Sequence, residues 1–387
     1  MSSVNTQLTG FSDSKSHYRI LDGLRGVAAV MVVMFHILET FTNGDNTKQI
    51  INHGYLAVDF FFVLSGFVIG YAYDDRWGKM SLGGFFKRRL IRLHPMIIAG
   101  MIIGAIFFYF QGSFFFPKID EVPVWKMLLV MLIGFTLIPV GQSLDIRGWG
   151  EMHPLNGPAW SLFFEYVANI LYALFIRKFS KTLLAIFVFI SGCALIHLSV
   201  TRGDVIGGWS VDPLQLRIGF TRLLYPFFAG LLLSRIVKPG TINNAFLWCS
   251  LLLIIVFSIP RIGGHEHLWM NGIYVAFCII FVFPLIVYIG ASGEIKGRVS
   301  SKLCNFLGDI SFPLYIVHYP IIYTYMSWIA HHIDFVKSGT PASHLAVIAA
   351  SLLTLVSSIA IAYGCLKLYD VPVRKWLAGR FMNGKNK

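Results

Sequence analysis

Long apolar runs, separated by short polar and basic connections, make up most of this 387-residue chain. A run of about 17 residues or more is long enough to cross a bilayer as a helix. Eleven helix candidates of this kind occur at 23–42, 55–73, 94–110, 124–140, 158–176, 182–200, 214–234, 244–260, 270–290, 310–330 and 343–366. The pattern predicts an all-α, polytopic integral membrane helical bundle without a separate soluble domain.

Lysine and arginine are concentrated in some of the connections, which we expect to be cytoplasmic, as basic loops of membrane proteins are. The basic segments are the N-terminal flank, KRRLIR at 87–92, RKFSK at 177–181, RIVKP at 235–239, KGRVSSK at 296–302 and the C-terminal tail. Two cytoplasmic ends require an even number of spans, which eleven runs do not give. We therefore predict about 10 transmembrane helices plus one partial or re-entrant segment, either 94–110 or 124–140, with loop 141–157 facing outside.

Composition agrees with this fold, because 56% of the residues are hydrophobic, only 13% are charged and the mean hydropathy is +0.68. The net charge of +13 does not indicate nucleic acid, since the positive residues lie between apolar runs as topology signals do. The five cysteines form no CxxC pair and predict neither a disulfide framework nor a metal site. Residues 1–18 have no apolar core of a signal peptide, and we expect them to be a disordered cytoplasmic tail.

The first apolar run contains the most informative residue, His36, which follows Arg25 by 11 residues. This spacing corresponds to a rise of about 16 Å along a helix, near the middle of a bilayer or beyond. An ionisable side chain at that depth costs a few kcal/mol and therefore usually has a function or a partner. Imidazole also exchanges protons near neutral pH, so His36 is a candidate for chemistry inside the membrane.

Counting depth along the predicted spans places further polar side chains in the outer half with His36. They are Glu39 (one turn beyond His36), His53 (just before the second helix), Asp59, Glu165, Arg217, Arg222 and, near mid-membrane, His318. The alternative is that these groups only join helices, with Arg222 paired to Glu165 or Asp59.

The segment FFKRRLIRLHP is a second candidate site, because it carries four cations on about one and a half helical turns: Lys87, Arg88, Arg89 and Arg92. Such a cluster can bind phosphates. It can equally be a topology signal or a contact with anionic lipid. Motifs of soluble enzymes, such as a P-loop, GxSxG or HExxH, are absent from the sequence.

Four stretches, in order along the chain, resemble the acyltransferase-3 family of membrane acyltransferases, which O-acylate extracytoplasmic carbohydrates. They are YRILDGLRGVAAVMVVMFH at 18–36, GYLAVDFFFVLSGFVI at 54–69 with FFKRRLIRLHP at 85–95, NGPAWSLFFE at 156–165, and LGDISFPLYIVHYPI at 307–321. The resemblance implies a membrane domain of about ten helices, here residues 19–376, followed by a basic cytoplasmic tail at 377–387. It also implies cytoplasmic acyl-CoA as the acyl donor.

The resemblance assigns roles to individual residues. The family's GVD-type motif falls on 57–59, with Ala57 in place of the usual glycine, and its WSL-x-x-E motif falls on 160–165. The catalytic residues that this implies are His36, Asp59 and Glu165. The residues that we expect to bind coenzyme A are Arg25, Lys87, Arg88, Arg89 and Arg92. The residues that we expect to bind the acceptor are Trp160, Arg222 and His318, and no metal is expected.

The sequence thus predicts a multi-pass enzyme of the bacterial inner membrane that transfers an acyl group, by default acetyl from acetyl-CoA, to a hydroxyl of an extracytoplasmic carbohydrate. His36 acts either as a general base, oriented by Asp59 or Glu165, or as an acyl carrier. Both versions require a passage from the basic stretch to His36. Because the chain ends soon after its last predicted helix, we expect no SGNH hydrolase-like domain, so transfer ends in the membrane domain or on a separate protein.

Alternative functions also agree with parts of this sequence. A transporter or flippase for a glycan or lipid-linked intermediate would also show charges at mid-membrane. A lipid-binding sensor would explain KRRLIR but not His36, Asp59 and Glu165. Four aromatic side chains, Trp149, His153, Trp160 and Trp209, are either a platform for sugar rings or an interfacial belt.

Overall fold

A computed structural model describes residues 17–42, 45 and 48–382, and this part of the chain is almost entirely helical. Its helices are α1 Arg19–Thr42, α2 Ala57–Tyr73, α3 Leu82–Phe107, α4 Val124–Phe135, α5 Ala159–Leu174, α6 Lys181–Arg202, α7 Pro213–Ile236, α8 Ala245–Ser258, α9 Leu268–Phe277, α10 Phe283–Ala291, α11 Arg298–His331, α12 Ile333–Lys337, α13 Pro341–Cys365 and α14 Val371–Phe381. Two short strands, β1 Ile242–Asn243 and β2 Gly293–Glu294, pair in parallel. Each of the eleven apolar runs contains a helix, as predicted.

The fold is that of a polytopic helical membrane protein. Seven helical segments in the described part are long and apolar enough to cross a membrane, and α4, α5 and α8 are shorter apolar helices. The 12 residues of α4 rise only about 18 Å, which is less than the hydrocarbon thickness of about 30 Å. Of the two candidates for the partial segment, α4 is therefore the one that is too short, whereas α3 has 26 residues.

The charge of the basic stretch predicts a connection between helices. In the structure, however, the stretch belongs to α3. This helix begins at Leu82, where the Ser81 hydroxyl caps it by accepting from the Gly84 N–H at 3.1 Å. It continues through Pro95 without interruption. The four cations thus occupy the first turns of a helix whose later turns are apolar.

Two helix pairs pack closely at small residues, and these contacts position the polar side chains of the site. A side chain at Gly26 of α1 would overlap the Leu307 backbone of α11. In the same way, Gly66 of α2 lies against the Phe227 carbonyl of α7, and Gly230 of α7 lies against α2. Close backbone approach at such residues is a common way for membrane helices to associate.

The segment between α4 and α5 folds into the bundle rather than covering its surface. Residues 151–160 are all buried. The Leu155 carbonyl lies where a side chain at Gly104 of α3 would be, and the Asn156 side chain donates to the Ile316 carbonyl of α11 at 2.9 Å. Non-helical backbone inside a helical bundle is tolerated when protein surrounds it. As a result, α5 begins inside the bundle, deeper than counting from an outer loop had predicted.

Candidate active site

A cavity of about 550 Å³ lies at the end of the bundle opposite the basic stretch. We call it the His36 cavity. Its wall is built from α1, α2, α5, α7, α11 and the segments between helices. The polar and aromatic side chains that line it are those of Phe35, His36, Glu39, Thr40, Tyr55, Phe115, Trp149, Glu151, Trp160, Trp209, Arg222, Tyr315 and Tyr319.

His36 is held in the cavity wall by contacts on several sides. Its Nδ1 lies 2.8 Å from Oε2 of Glu39, one turn along α1. A carboxylate accepts hydrogen bonds, so Nδ1 carries the proton and Nε2 is free to act as a base or nucleophile. The ring stacks on that of His318 at 5.7 Å between centroids and meets the Tyr319 ring edge-on at 4.8 Å.

His318 is fully buried beside His36 and is not part of the cavity wall. Its Nδ1 donates to the carbonyls of Leu314 and Tyr315 at 3.2 and 2.9 Å. Its Nε2 has no hydrogen-bond partner among the residues that the structure describes. The geometry gives His318 a supporting position behind His36, without the direct exposure to the cavity that an acceptor-binding residue would have.

Asp59 and Arg222 form a buried ion pair between α2 and α7. The Arg222 Nε and Nη2 donate to the two carboxylate oxygens at 3.2 and 2.7 Å, and both side chains are at most 2% exposed. Arg222 also donates to the carbonyls of Tyr55 and Gly207 and lies over the Trp160 ring. Asp59 therefore orients Arg222, which lines the cavity, and both of its oxygens are occupied by that pair.

Glu165 lies at a different level from His36, nearer to the basic stretch. Its Oε1 accepts from Arg89 of α3 at 2.7 Å and from Ser65 of α2 at 3.2 Å. Depth counting had placed Glu165 in one layer with His36, and this expectation was wrong because α5 begins deep in the bundle. The orienting contact that we expected from Asp59 or Glu165 is made by Glu39 instead.

The cations of the basic stretch differ in exposure. Arg89 is buried in its pair with Glu165, whereas Lys87 and Arg92 are exposed and Arg88 is half-buried. Arg25 binds Asp22 at 2.8 Å and lies within electrostatic range of Arg92. The basic stretch therefore offers exposed cations next to Arg25, at the other end of α1 from His36.

The passage from the basic stretch to His36 that both versions require is not formed by the His36 cavity, since its wall includes neither Arg25 nor any residue of the basic stretch. The expectation of an open passage was therefore wrong for this cavity. The cavity floor on that side contains Tyr315, whose hydroxyl is 2.7 Å from that of Ser161. Phe61 packs edge-on against Tyr315 at 5.4 Å. One turn beyond Ser161 is Glu165, with its bond to Arg89. A thin polar and aromatic layer thus separates the cavity from the basic end.

Two carboxylates of the cavity received no role from the sequence. Glu39 was placed one turn beyond His36, a helical spacing that brings side chains together, but it was not predicted to orient the ring. Glu151 lies in the loop before α5, where no periodicity indicated burial. Its two oxygens accept from the Tyr323 hydroxyl at 2.7 Å. Burial raises the pKa of Glu151 to about 7, against the opposing effects of the Arg147 charge and the Tyr323 bond.

Three of the four aromatic residues singled out in the sequence line the cavity, namely Trp149, Trp160 and Trp209. The fourth, His153, lies elsewhere, in contact with α3 and α4, and its burial lowers its pKa to about 3. Within residues 17–42, 45 and 48–382, no three histidine, cysteine or acidic side chains are grouped so that they could hold a metal.

The sequence of this chain is similar to those of known proteins. "Protein 2 in picA locus" of Rhizobium radiobacter is 35% identical over 161 residues, which are 40% of this chain and 80% of that protein. O-acetyltransferase OatA of Staphylococcus aureus is 24% identical over 321 residues, 78% of this chain. Acyltransferase MdmB of Streptomyces mycarofaciens is 24% identical over 327 residues, 78% of each chain.

The match to OatA covers 50% of that protein's length. No solved structure matches this chain. The family described as "acyltransferase domain", acyltransferase-3, matches residues 18–363, which include α1 to α12 and most of α13. The chain therefore belongs to the acyltransferase-3 family.

Proposed function

We propose that this chain is a membrane O-acetyltransferase that transfers an acyl group from acyl-CoA, bound at the basic end of the bundle, to a hydroxyl of a carbohydrate in the His36 cavity. Family membership supports an acyltransferase over a transporter. The name of the OatA relative supports O-acetyl transfer, and acetyl is accordingly the acyl group that we propose. The basic connections support a cytoplasmic donor and an inner-membrane location.

The observation that carries the proposal is the position of His36. Its ring is held by Glu39 and leaves Nε2 for chemistry, in the wall of a cavity large enough for a sugar ring. Trp149, Trp160 and Trp209 surround the same space and offer apolar ring faces on which a sugar can stack.

The donor is proposed to bind at the opposite end of α1. Lys87, Arg88 and Arg92 supply cations for the phosphates of coenzyme A, next to Arg25. Arg89 contributes indirectly, because it is already paired with Glu165. The rise of about 16 Å from Arg25 to His36 is comparable to the length of a pantetheine arm. For the thioester to reach His36, the layer of Phe61, Ser161 and Tyr315 has to open, since the cavity ends there.

Two reaction sequences fit this arrangement. In the direct sequence, Nε2 of His36 takes the proton of the acceptor hydroxyl, whose oxygen attacks the thioester carbonyl. The C–S bond then breaks, and the departing thiolate takes the proton from the imidazolium. In the covalent sequence, Nε2 itself attacks the thioester, and the C–S bond breaks to release the thiolate. The acceptor hydroxyl then attacks the acyl-imidazolium, the bond from Nε2 to the acyl carbon breaks, and the hydroxyl proton passes to the thiolate. In both, Glu39 stabilises the positively charged ring through Nδ1–H.

Purified His36→Ala tests the proposal. We expect it to lose acetyl transfer to glycan extracted from cells that lack this chain, while it still binds coenzyme A in a calorimetric titration. The matched control is His153→Ala, which removes a buried histidine outside the cavity. Retained turnover by His36→Ala would rule out both reaction sequences. Mass spectrometry of acid-quenched wild-type enzyme separates the two, since only the covalent sequence gives acyl-His36.

A further inference from the structure

The charged side chains that line the His36 cavity are predominantly acidic. Among the described residues, its wall carries the carboxylates of Glu39 and Glu151 and one guanidinium, that of Arg222. Asp59 cancels the charge of Arg222 directly behind the wall. Arg147 offsets the charge of Glu151 in the same way, so when His36 is neutral the charge that remains at the cavity is the negative one of Glu39, whereas the opposite end of the bundle is basic.

Glu151 lines the cavity, although it is only 6% exposed. The Tyr323 hydroxyl is shared between its two oxygens, at 2.7 Å to each. A carboxylate has about four acceptor positions, and a single hydroxyl hydrogen leaves most of them for a ligand. Gly157, which also lines the cavity, lies so close to Oε1 that any side chain there would overlap it.

The surroundings of Glu151 hold it in place from behind. Arg147 is fully buried, stacks on the Tyr323 ring at 3.6 Å and donates from Nε to the Pro154 carbonyl at 2.8 Å. Its charge offsets that of Glu151 without Arg147 lining the cavity itself. The next residue, Met152, donates its N–H to the Trp209 carbonyl at 2.7 Å and so ties the carboxylate to one aromatic wall.

From this geometry we propose that Glu151 binds hydroxyl or amino groups of the acceptor and that the cavity selects a sugar ring without negative charge. A carboxylate forms strong hydrogen bonds with hydroxyl groups and stronger ones with an ammonium group. A uronic acid or phosphorylated ring would instead place its negative charge beside the carboxylates of Glu39 and Glu151, and this repulsion weakens its binding. The acceptor is thus a neutral or amino sugar. This inference rests on the proposed function and specifies its substrate class.

The test uses glycan from cells that lack this chain, oxidised at a fraction of its primary hydroxyls. One half is left as the carboxylate, and the other half is converted to the neutral primary amide. Both preparations have lost the same hydroxyls and differ only in charge. With purified full-length enzyme and acetyl-CoA, we expect the amide form to be acetylated about tenfold faster or more.

Glu151→Gln keeps the size and the bond to Tyr323 but removes the charge. We expect it to raise the KM for the glycan and to reduce the preference for the amide form severalfold. Glu121→Gln, the same change at an exposed residue outside the cavity, should retain the wild-type preference. A merely structural role of Glu151 would lower all rates together and would leave the preference intact.

The ring that carries the new acetyl group, located by tandem mass spectrometry with the wild-type enzyme, gives a readout that needs no variant. We expect a ring without carboxylate or phosphate. Acetylation of an anionic ring, or equal rates for both preparations, would overturn the inference while leaving the proposed function standing. Failure of the wild-type enzyme to acetylate either preparation and the untreated glycan would contradict the proposed function itself.

Discussion

At the scale of single residues, the contact between His36 and Glu39 has the clearest consequence for chemistry. The 2.8 Å bond fixes which nitrogen carries the proton and stabilises the ring when it becomes charged. Glu39→Gln keeps the hydrogen-bonding shape but removes the charge. We expect kcat to fall about 100-fold, within the usual contribution of acid–base catalysis, with little change in coenzyme A binding. Steady-state kinetics with varied glycan would contradict this role if kcat stayed at the wild-type value.

The titration of Glu151 predicts that the selectivity of the site depends on pH. Because its pKa is raised to about 7, the carboxylate is largely protonated at about pH 6 and largely charged at about pH 8. We therefore expect the preference for the neutral amide form of the glycan to increase with pH over this range. The charged and titratable groups around Glu151 are Arg147 and Asp145 from its own loop, Tyr319 and Tyr323 from α11, and His36 and Glu39 across the cavity.

Glu151→Gln is the control for this pH dependence. It removes only the titration of Glu151, so any remaining trend in the ratio of the two rates belongs to the other groups. The measurement is that ratio at several pH values for both enzymes. A wild-type ratio that does not change with pH, or one that changes equally in the variant, would exclude Glu151 as its origin.

The ion pair of Asp59 and Arg222 predicts a large effect on stability. Both partners are at most 2% exposed, so removing one leaves an uncompensated buried charge at a cost of about 3–5 kcal/mol. We expect Asp59→Asn to lower the thermal unfolding temperature in detergent markedly. Replacing both partners, Asp59→Leu with Arg222→Met, should restore most of the lost unfolding temperature, since an apolar pair leaves no unpaired buried charge. Equal unfolding temperatures for wild type and Asp59→Asn would contradict the geometry.

At the scale of helices, the sequence predicted the elements well because hydrophobic length is a local property. All eleven apolar runs contain helices, and His36 lies inside the first. The connections were harder, since charge alone did not distinguish a basic loop from the first turns of α3. The buried course of residues 151–158 depends on contacts with α3 and α11, which no local pattern encodes. For that reason the depth of Glu165 was predicted wrongly and Glu151 was missed.

The first turns of α3 also carry a prediction about the donor. Lys87 and Arg92 are exposed, so their charges are accessible to phosphates from solvent. Lys87→Gln combined with Arg92→Gln should raise the Kd for coenzyme A about tenfold, by loss of bonds between charged groups. Pantetheine, which lacks the phosphates, should bind the variant and the wild type alike. Lys181→Gln, an exposed cation at the start of α6, should leave both affinities unchanged.

The alternative is that these cations only set topology or contact anionic lipid. Under that alternative, the Kd for coenzyme A would be the same in wild type and variant, while binding to vesicles of anionic lipid would weaken. Measuring both affinities on the same preparations therefore separates a donor site from a lipid contact.

At the scale of the whole molecule, the basic end and the His36 cavity lie at opposite ends of α1, separated by the layer that contains Tyr315. Acyl donor and acceptor would then meet from two sides, and neither would have to cross the membrane completely. We expect sealed proteoliposomes to form acetylated glycan only when acetyl-CoA and the glycan are on opposite sides. With acetyl-CoA outside, molecules whose basic end faces outward would acetylate glycan in the lumen.

The controls for this experiment are His36→Ala, which should give no product in either arrangement, and vesicles made permeable with detergent, which should give product in both. Leakage of acetyl-CoA is monitored with a radiolabelled donor and empty vesicles. Product formed with both substrates on one side of sealed vesicles would mean that the cavity and the basic end open to the same side. In that case the layer of Phe61, Ser161 and Tyr315 would not be the boundary that the thioester has to pass.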